Sequence, residues 1–436
     1  MTLTKQDAPA IPPPAGDEPA APETQGSAGQ VVKLLIGLAV ITALFLVLGW
    51  GALLLFIVIL IAIVMLHELG HFATAKWAGM KVTEYFVGFG PRLWSMRRGE
   101  TEYGVKAIPA GGYVRITGFT ATEEVAEEDE PRAYRQQPFY QRIVVASAGS
   151  VMHLLIAFVL AIIVVFAFGQ PTNNYKVAAL EHWSGKTTPA ALAGLKAGDT
   201  IVSIDGKTFA NPTAMTDIIK RSTGKELTLG VERDGRLVHV EATPESGKGV
   251  VVNGAKLADR GYLGVSISQA VGSVSAVHAP GAAVSTIWSV TDQEAHGIGQ
   301  IFSPAGLSSL WHQLTNSHYA QKVANNPGEA PRPESIIGIA HIGAQAEQSN
   351  VESVLLLLIA INVVFGILNM LPMIPLDGGH VAIASYEWIR TRKGRPYYRA
   401  DITKLFPVAA VFIGILAFIS LSAMYLDITH PINLPH

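Results

Sequence analysis

The feature that most restricts the fold of this chain is an almost unbroken apolar stretch from Val31 to Leu66. A membrane-spanning helix needs roughly 20 apolar residues, whereas the apolar core of a signal peptide has only about 7 to 15. No cleavage signature follows the stretch, so it predicts a membrane anchor. One long tilted helix, or two crossings with a break near Gly49-Trp50-Gly51, would both fit.

The composition also indicates a membrane protein. Charged residues make up 15% of the 436 residues and the mean hydropathy is +0.33, which is too apolar for an ordinary soluble enzyme of this length. The net charge of −2 gives no reason to expect a nucleic-acid partner. Because the chain has no cysteine, thiolate sites are excluded and any metal must be bound by His, Asp or Glu.

Further apolar segments at about Ser150 to Phe168, Val354 to Leu371 and Leu405 to Tyr425 predict spanning helices. Together with the first stretch they give four core transmembrane helices and a possible extra N-terminal span. Basic residues are concentrated after the first span and between the last two. By the positive-inside rule both of these segments face the cytoplasm, and the large segment from about Gln170 to Asn350 lies outside.

The other segments differ in composition. Residues 1–30 are rich in Ala and Pro and predict a disordered tail. Short β-branched runs, a helical run near Thr213 to Arg221 and the turn pair Asp234-Gly235 predict an α+β domain at 175–270. Residues 271–350 predict helix and loop, and 80–148 a cytoplasmic β region and loop. The membrane segments are then 31–74, 149–169, 351–382 and 404–426.

A metal-binding pattern stands at the end of the first span, His67-Glu68-Leu69-Gly70-His71. Residues four apart share a helix face, so both imidazoles can reach one ion while Glu68 approaches water at that ion. Ionisable residues in an apolar helix each cost roughly 2.5 to 3.5 kcal/mol on insertion scales. Metal coordination explains that cost better than the alternative, a simple interfacial position.

Catalytic zinc usually has three protein ligands and an open fourth place, so a third ligand is expected elsewhere. After the third span, Pro372 and Pro375 interrupt the helix, and Asp377 follows an apolar run. Asp377 is therefore the candidate third ligand. His380 is a rival, and an interfacial polar residue is the structural alternative for both.

Three motifs resemble those of the site-2 protease family of intramembrane zinc metalloproteases, in the bacterial branch that carries an extracytoplasmic PDZ domain. They are HELGH at His67 to His71, the run from Tyr85 to Gly118 that ends in IPAGGYVRITG, and NMLPMIPLDGG from Asn369 to Gly379. The resemblance covers about Leu53 to Leu426. The run PAALAGLKAGDTIVSIDG from Pro189 to Gly206 is similar to PDZ domains attached to bacterial proteases.

The resemblance implies one zinc ion held by His67, His71 and Asp377, catalysis by Glu68, and contact of Asn369 with the substrate backbone. It implies a multi-pass protein of the bacterial cell membrane, surrounded by lipid. It also implies transmembrane protein substrates that another protease has already trimmed, such as anti-sigma factors or remnant signal peptides.

Two departures from the family pattern leave the metal motifs intact. Gly149-Ser150-Val151-Met152-His153 stands where the family commonly has Gly-Pro-x-x-Asn, so His153 replaces the Asn. Before the third span, the run from Ser335 to His341 replaces a motif that usually contains Gly-Pro. His153 and His341 are candidate extra ligands, although lone histidines near membrane interfaces are more often hydrogen-bonded structural residues.

The strand-like segments Tyr103 to Ala107 and Gly112 to Ile116, separated by the turn-forming run Pro109 to Gly112, predict a β hairpin after the metal-motif helix. A peptide bond within a membrane helix is shielded, so a protease must unwind its substrate. The hairpin edge could pair with the unwound chain by strand addition. A purely structural hairpin is the alternative.

Two other functions remain open at this point. A catalytically inactive, PDZ-bearing membrane scaffold with a structural zinc site would not need the general base Glu68. A soluble-type zinc protease tethered to the membrane should have an amphipathic motif helix, whereas Leu53 to Leu66 is apolar all round.

Overall fold

A computed structural model describes residues 28–120, 123–181, 183, 186–209, 213–252, 255–326, 330–335, 337–339, 341–343, 351–391 and 398–432. The disordered tail that we predict lies outside the described residues. The chain divides into two compact units, Met1–Ala157 with Val290–His436, and Phe158–Ser289.

The N-terminal apolar stretch forms two helices, α1 (Ala28–Val47) and α2 (Gly51–Trp77). The break is at Gly49, whose φ of +74° is unfavourable for any residue with a Cβ. The stretch is therefore broken near Gly49, and the alternative of one long helix is wrong. The histidine motif lies on α2, about two turns before its end.

A β region follows, made of β1 (Val82–Arg98) and β2 (Thr101–Ile116), which pair in antiparallel fashion. Phe86 has partners on both sides, Tyr113 and Gly104, so the first part of β1 lies between two parts of β2. Residues 112–116 consequently form one edge of this sheet. Met80 and Val82, both fully buried, pack the sheet onto the end of α2.

The hairpin predicted between Tyr103–Ala107 and Gly112–Ile116 is wrong. Both segments belong to β2, and each pairs with β1 rather than with the other. The turn is at Gly99, which has a φ of +66°, and Pro109 to Gly112 lies within the strand. A local turn signal could not reveal that the better partner for both segments was the preceding strand.

Helix α3 (Phe139–Phe168) begins well before the predicted start at Ser150. It approaches α2 closely at Gly70, where a Cβ would lie 2.7 Å from the Ala148 carbonyl oxygen. Small residues allow such close approach of membrane helices. Part of α3 therefore lies beside the histidine motif.

The second unit contains a five-stranded antiparallel sheet. Its strands are β3 (Gln170–Leu180), β4 (Thr200–Ile204), β5 (Leu227–Arg233), β6 (Arg236–Ala242) and β11 (Val265–Gly272), in the order β11-β3-β4-β5-β6, with helices α4 (Pro189–Leu192) and α5 (Ala214–Arg221) and the short strands β7 (Glu245–Ser246), β8 (Val251–Val252), β9 (Ala255–Lys256) and β10 (Gly261–Tyr262). The predicted hairpin is confirmed, since Arg233 pairs with Arg236 across Asp234-Gly235.

The remaining secondary-structure elements of the described residues are helical. The helices are α6 (Ala279–Ile301), α7 (Pro304–Thr315), α8 (Ser317–Asn325), α9 (Val351–Asn369), α10 (Asp377–Arg390) and α11 (Phe406–Thr429). The third spanning segment thus ends at Asn369. Asp377 is not on that helix, as the boundary 351–382 implied, but begins the next one.

Four helical segments are long and apolar enough to cross a membrane, namely Leu53–Trp77, Phe139–Phe168, Val351–Asn369 and Ile402–Thr429. The apolar part of α1, Val31–Val47, is shorter. The prediction of four core spans is confirmed for the described part of the chain.

Candidate metal centre

Helix α2 places both motif histidines on one face. Their Nε2 atoms are 3.3 Å apart, as expected for residues one helical turn from each other. The side chains are buried, with His67 8% and His71 4% exposed. Two imidazole nitrogens therefore meet inside an apolar helix bundle.

Asp377 joins them from the first turn of α10. Its Oδ2 is 3.2 Å from Nε2 of His71 and 3.5 Å from Nε2 of His67. The two glycines that follow allow α10 to begin close to the preceding loop, because a Cβ on Gly379 would lie 2.8 Å from the Ile374 nitrogen. Among the described residues, His67, His71 and Asp377 are the group of three side chains that could hold one metal ion.

The spacing of these atoms fits zinc. Zinc in a tetrahedral site is bound at about 2.0 to 2.1 Å by His and Asp, which places neighbouring ligand atoms about 3.3 Å apart. The three separations, 3.3, 3.2 and 3.5 Å, are close to that value. The residues present therefore fit the metal that the motif predicts.

The surrounding groups also favour a metal. Nδ1 of His71 lies 2.7 Å from the Val145 carbonyl oxygen, so it donates there and leaves Nε2 free to bind an ion. Oδ2 of Asp377 is buried and has no hydrogen-bond partner. Gly149 keeps the space open, because a Cβ there would lie 2.5 Å from Nε2 of His71.

Glu68 lies between the metal cluster and the β region and is half-buried. Its Oε2 accepts a hydrogen bond from the Val114 backbone nitrogen at 3.0 Å. Tyr85 on β1 donates to the Met65 carbonyl oxygen at 2.8 Å and fastens the sheet to the same helix. The carboxylate of Glu68 and an edge strand are thus brought together.

The other candidate residues are not among the three donors. Asn369 is the last residue of α9. The His380 ring packs on Phe119 with centroids 4.1 Å apart, and His341 is exposed. The ring of His153 lies 4.9 Å from that of His67, and its Nδ1 is 3.0 Å from Oδ1 of Asn362.

Sequence reasoning missed the contacts of Val114, Val145 and Asn362 with this site. The first two act through backbone atoms, which leave no signature in the residue type. Asn362 had a detectable signal, because an amide inside an apolar span is costly unless it has a partner. Its partner, however, is 209 residues away.

Comparison with known proteins now adds to this geometry. The model of peptidase family M50 matches residues 55–414. Zinc metalloprotease Rip1 of Mycolicibacterium smegmatis is 30% identical over 415 residues, which cover 88% of this chain and 99% of the relative. Zinc metalloprotease Rip1 of Mycobacterium tuberculosis is 31% identical over 408 residues, which cover 87% of this chain and 98% of the relative.

These matches agree with the four apolar helices and with the zinc-compatible cluster, and they describe a multi-pass membrane protein. The family match extends over most of the chain and includes all three motifs that carried the resemblance. The predicted resemblance is confirmed: the chain belongs to peptidase family M50, the site-2 protease family of zinc metalloproteases.

Proposed function

We propose that this zinc metalloprotease is an endopeptidase that cleaves transmembrane segments of membrane proteins already trimmed by another protease. The observation that carries the proposal is the position of the donor cluster. His67 and His71 lie within the apolar span Leu53–Trp77 and meet Asp377 there. A water-consuming reaction at that place acts on chains inside the membrane rather than on soluble proteins.

The residues then have separate tasks. His67, His71 and Asp377 hold the ion, and Glu68, which is not one of the three, serves as general base. Zinc, when bound, lowers the pKa of water towards about 7 and polarises the scissile carbonyl. Glu68 accepts the proton from water and passes it to the leaving amine.

Substrate is held as an extended strand along residues 112–116. The Val114 N–H points away from β1 and donates to Glu68, so the side of this edge that β1 does not cover faces the catalytic carboxylate. An unwound substrate paired there would have its backbone beside Glu68. Asn369, at the end of α9, donates to the substrate backbone or to the developing oxyanion.

The second unit is a PDZ domain with a filtering role. Its five-stranded antiparallel sheet with α5, and the run from Pro189 to Gly206, support this assignment. Such a domain would bind a peptide end or keep bulky ectodomains away from the membrane site. Trimmed proteins, such as anti-sigma factors or remnant signal peptides, would be small enough to reach the membrane site.

The chain lies in the bacterial cell membrane with the metal centre towards the cytoplasm and the PDZ domain outside. The basic residues after the first span and between the last two support this orientation. Reporter fusions should be cytoplasmic at Arg98 and Arg395 and external at Gly206. An external signal at Arg98 would reverse the arrangement.

The function is tested with the full chain in proteoliposomes and a single-span substrate prepared with a short or a folded ectodomain. We expect zinc-dependent cleavage within the span of the short form, and slower cleavage of the long form. Mass spectrometry of the fragments locates the cut. Cleavage outside the span would contradict the proposal, and zinc binding without any cleavage would favour the scaffold.

A further inference from the structure

The two histidines of the metal motif are held in different ways. The His71 ring is oriented by a hydrogen bond from Nδ1 to the Val145 carbonyl oxygen, 2.7 Å away. Nδ1 of His67 is buried and has no hydrogen-bond partner. An imidazole ligand normally has its second nitrogen fixed in this way, whereas the His67 ring lies against the Gly149 backbone and a neighbouring ring without such a bond.

The neighbouring ring is that of His153 on α3. Its ring lies against that of His67 with centroids 4.9 Å apart and planes inclined by 43°. The ring centroids of His67 and His71 are separated by the same distance. The His67 ring therefore lies against imidazoles on two sides.

His153 is itself fixed by Asn362 on α9. Nδ2 of Asn362 donates to the Leu358 carbonyl oxygen at 2.8 Å, so Oδ1 is the atom that faces Nδ1 of His153, at 3.0 Å. An amide oxygen only accepts, so Nδ1 of His153 carries the proton. The pair is buried, with His153 2% and Asn362 0% exposed.

We propose that the His153–Asn362 pair is a positioning device for the metal centre. It holds the ring of His67 with Nε2 towards Asp377, in place of the carbonyl hydrogen bond that orients His71. The proposal rests on the ligand role proposed above for His67. It also explains two polar side chains inside apolar spans, where each would be costly without a purpose.

The connection has a further consequence for the site. Asn362 and Asn369 lie on the same helix, α9, and Asp377 begins the next one. The hydrogen bond between His153 on α3 and Asn362 on α9 therefore connects the ring of His67 to the chain segment that leads to Asp377. Breaking it should loosen the metal site without removing any ligand.

The test measures the zinc dissociation constant of the full chain in detergent by chelator competition, and the visible absorption of the cobalt-substituted protein. Asn362→Leu should weaken zinc binding by about 10-fold or more and change the cobalt spectrum. His153→Leu should do the same. Adding Asn362→Leu to His153→Leu should have no further effect, because the amide acts only through the imidazole.

The double variant guards against misfolding, since it leaves neither polar partner buried alone. Val363→Ala is the matched control, because Val363 is fully buried at the adjacent position of α9. It should lower thermal stability and leave the zinc dissociation constant unchanged. A general loosening of the helix bundle would instead weaken zinc binding in this control as well, and would overturn the proposal.

Unchanged zinc affinity and cobalt spectrum in Asn362→Leu would likewise overturn it, as would losses that add in the double variant. His67→Ala separates this failure from failure of the proposed function. If His67→Ala keeps its zinc, the ligand set is wrong. If His67→Ala loses zinc while Asn362→Leu binds normally, only the positioning role fails.

Discussion

Two buried polar regions lie where α10 packs against its neighbouring helices, and they differ in charge balance. In one, Arg142 on α3 pairs with Glu387 on α10 at 2.6 Å, and the side chains are 5% and 4% exposed. The other oxygen of Glu387 accepts from the Ala400 nitrogen at 2.8 Å. Charge is balanced, and both carboxylate oxygens have partners.

The metal cluster is the other region, and it is not balanced in this way. Oδ2 of Asp377 faces two imidazole nitrogens but has no hydrogen-bond partner. A carboxylate beside two imidazole nitrogens is a donor set that suits a divalent cation. The ion pair is therefore neutral as it stands, whereas the cluster has the donor set that could hold a metal ion.

Substitution within the metal cluster should have the largest effect on zinc binding and on cleavage. Asp377→Ala removes a proposed ligand, and we expect loss of both bound zinc and cleavage, measured by elemental analysis and by a substrate assay. His380→Ala is the control, because its ring packs on Phe119 rather than among the donors. If His380→Ala loses the metal and Asp377→Ala retains it, the assignment is reversed.

Substitutions in the Arg142–Glu387 pair should lower the stability of the fold and leave metal binding unchanged. Arg142→Leu leaves Glu387 buried without its cation, which should cost roughly 3 to 5 kcal/mol of unfolding free energy. The double variant Arg142→Leu with Glu387→Leu should recover most of that loss. Denaturant unfolding measures the free energies. Zinc affinity that falls in the folded double variant would show that the two regions are not independent.

A third buried polar group lies at the C-terminal end of α11. Arg332 pairs with Asp427 at 2.7 Å, and both side chains are 2% exposed. Glu334 adds a second carboxylate to this pair. Burial, together with the negative charge of Asp427, raises the pKa of Glu334 from 4.5 to about 7.

A raised carboxyl pKa means that the folded chain holds a proton which the unfolded chain has lost. The contribution of Glu334 to stability is therefore greatest below pH 4.5 and is lost as the pH rises to about 7, by on the order of 3 kcal/mol. Thermal unfolding across this range measures the slope, and Glu334→Gln should reduce it. An equal slope in the variant would assign the pH dependence to other groups.

What the sequence could predict was mostly local. HELGH on one helix and the proline-interrupted run before Asp377 were visible as spacing. The early start of α3 was not visible, because Arg142 makes the first turns of the helix look unsuited to a membrane. The residue that neutralises Arg142 is Glu387, which is 245 residues away. The strand pairing was missed for a similar reason, since register depends on partners that a local turn signal does not identify.

We expect the cluster to bind zinc while Glu68 performs the chemistry. Glu68→Gln keeps the size of the side chain, and the amide can still accept from the Val114 nitrogen, which lies 3.0 Å from Oε2 in the native chain. We predict a purified variant with one zinc per chain, its trimmed substrate still bound, and cleavage reduced by several orders of magnitude. Loss of zinc, or cleavage at the wild-type rate, would contradict the account.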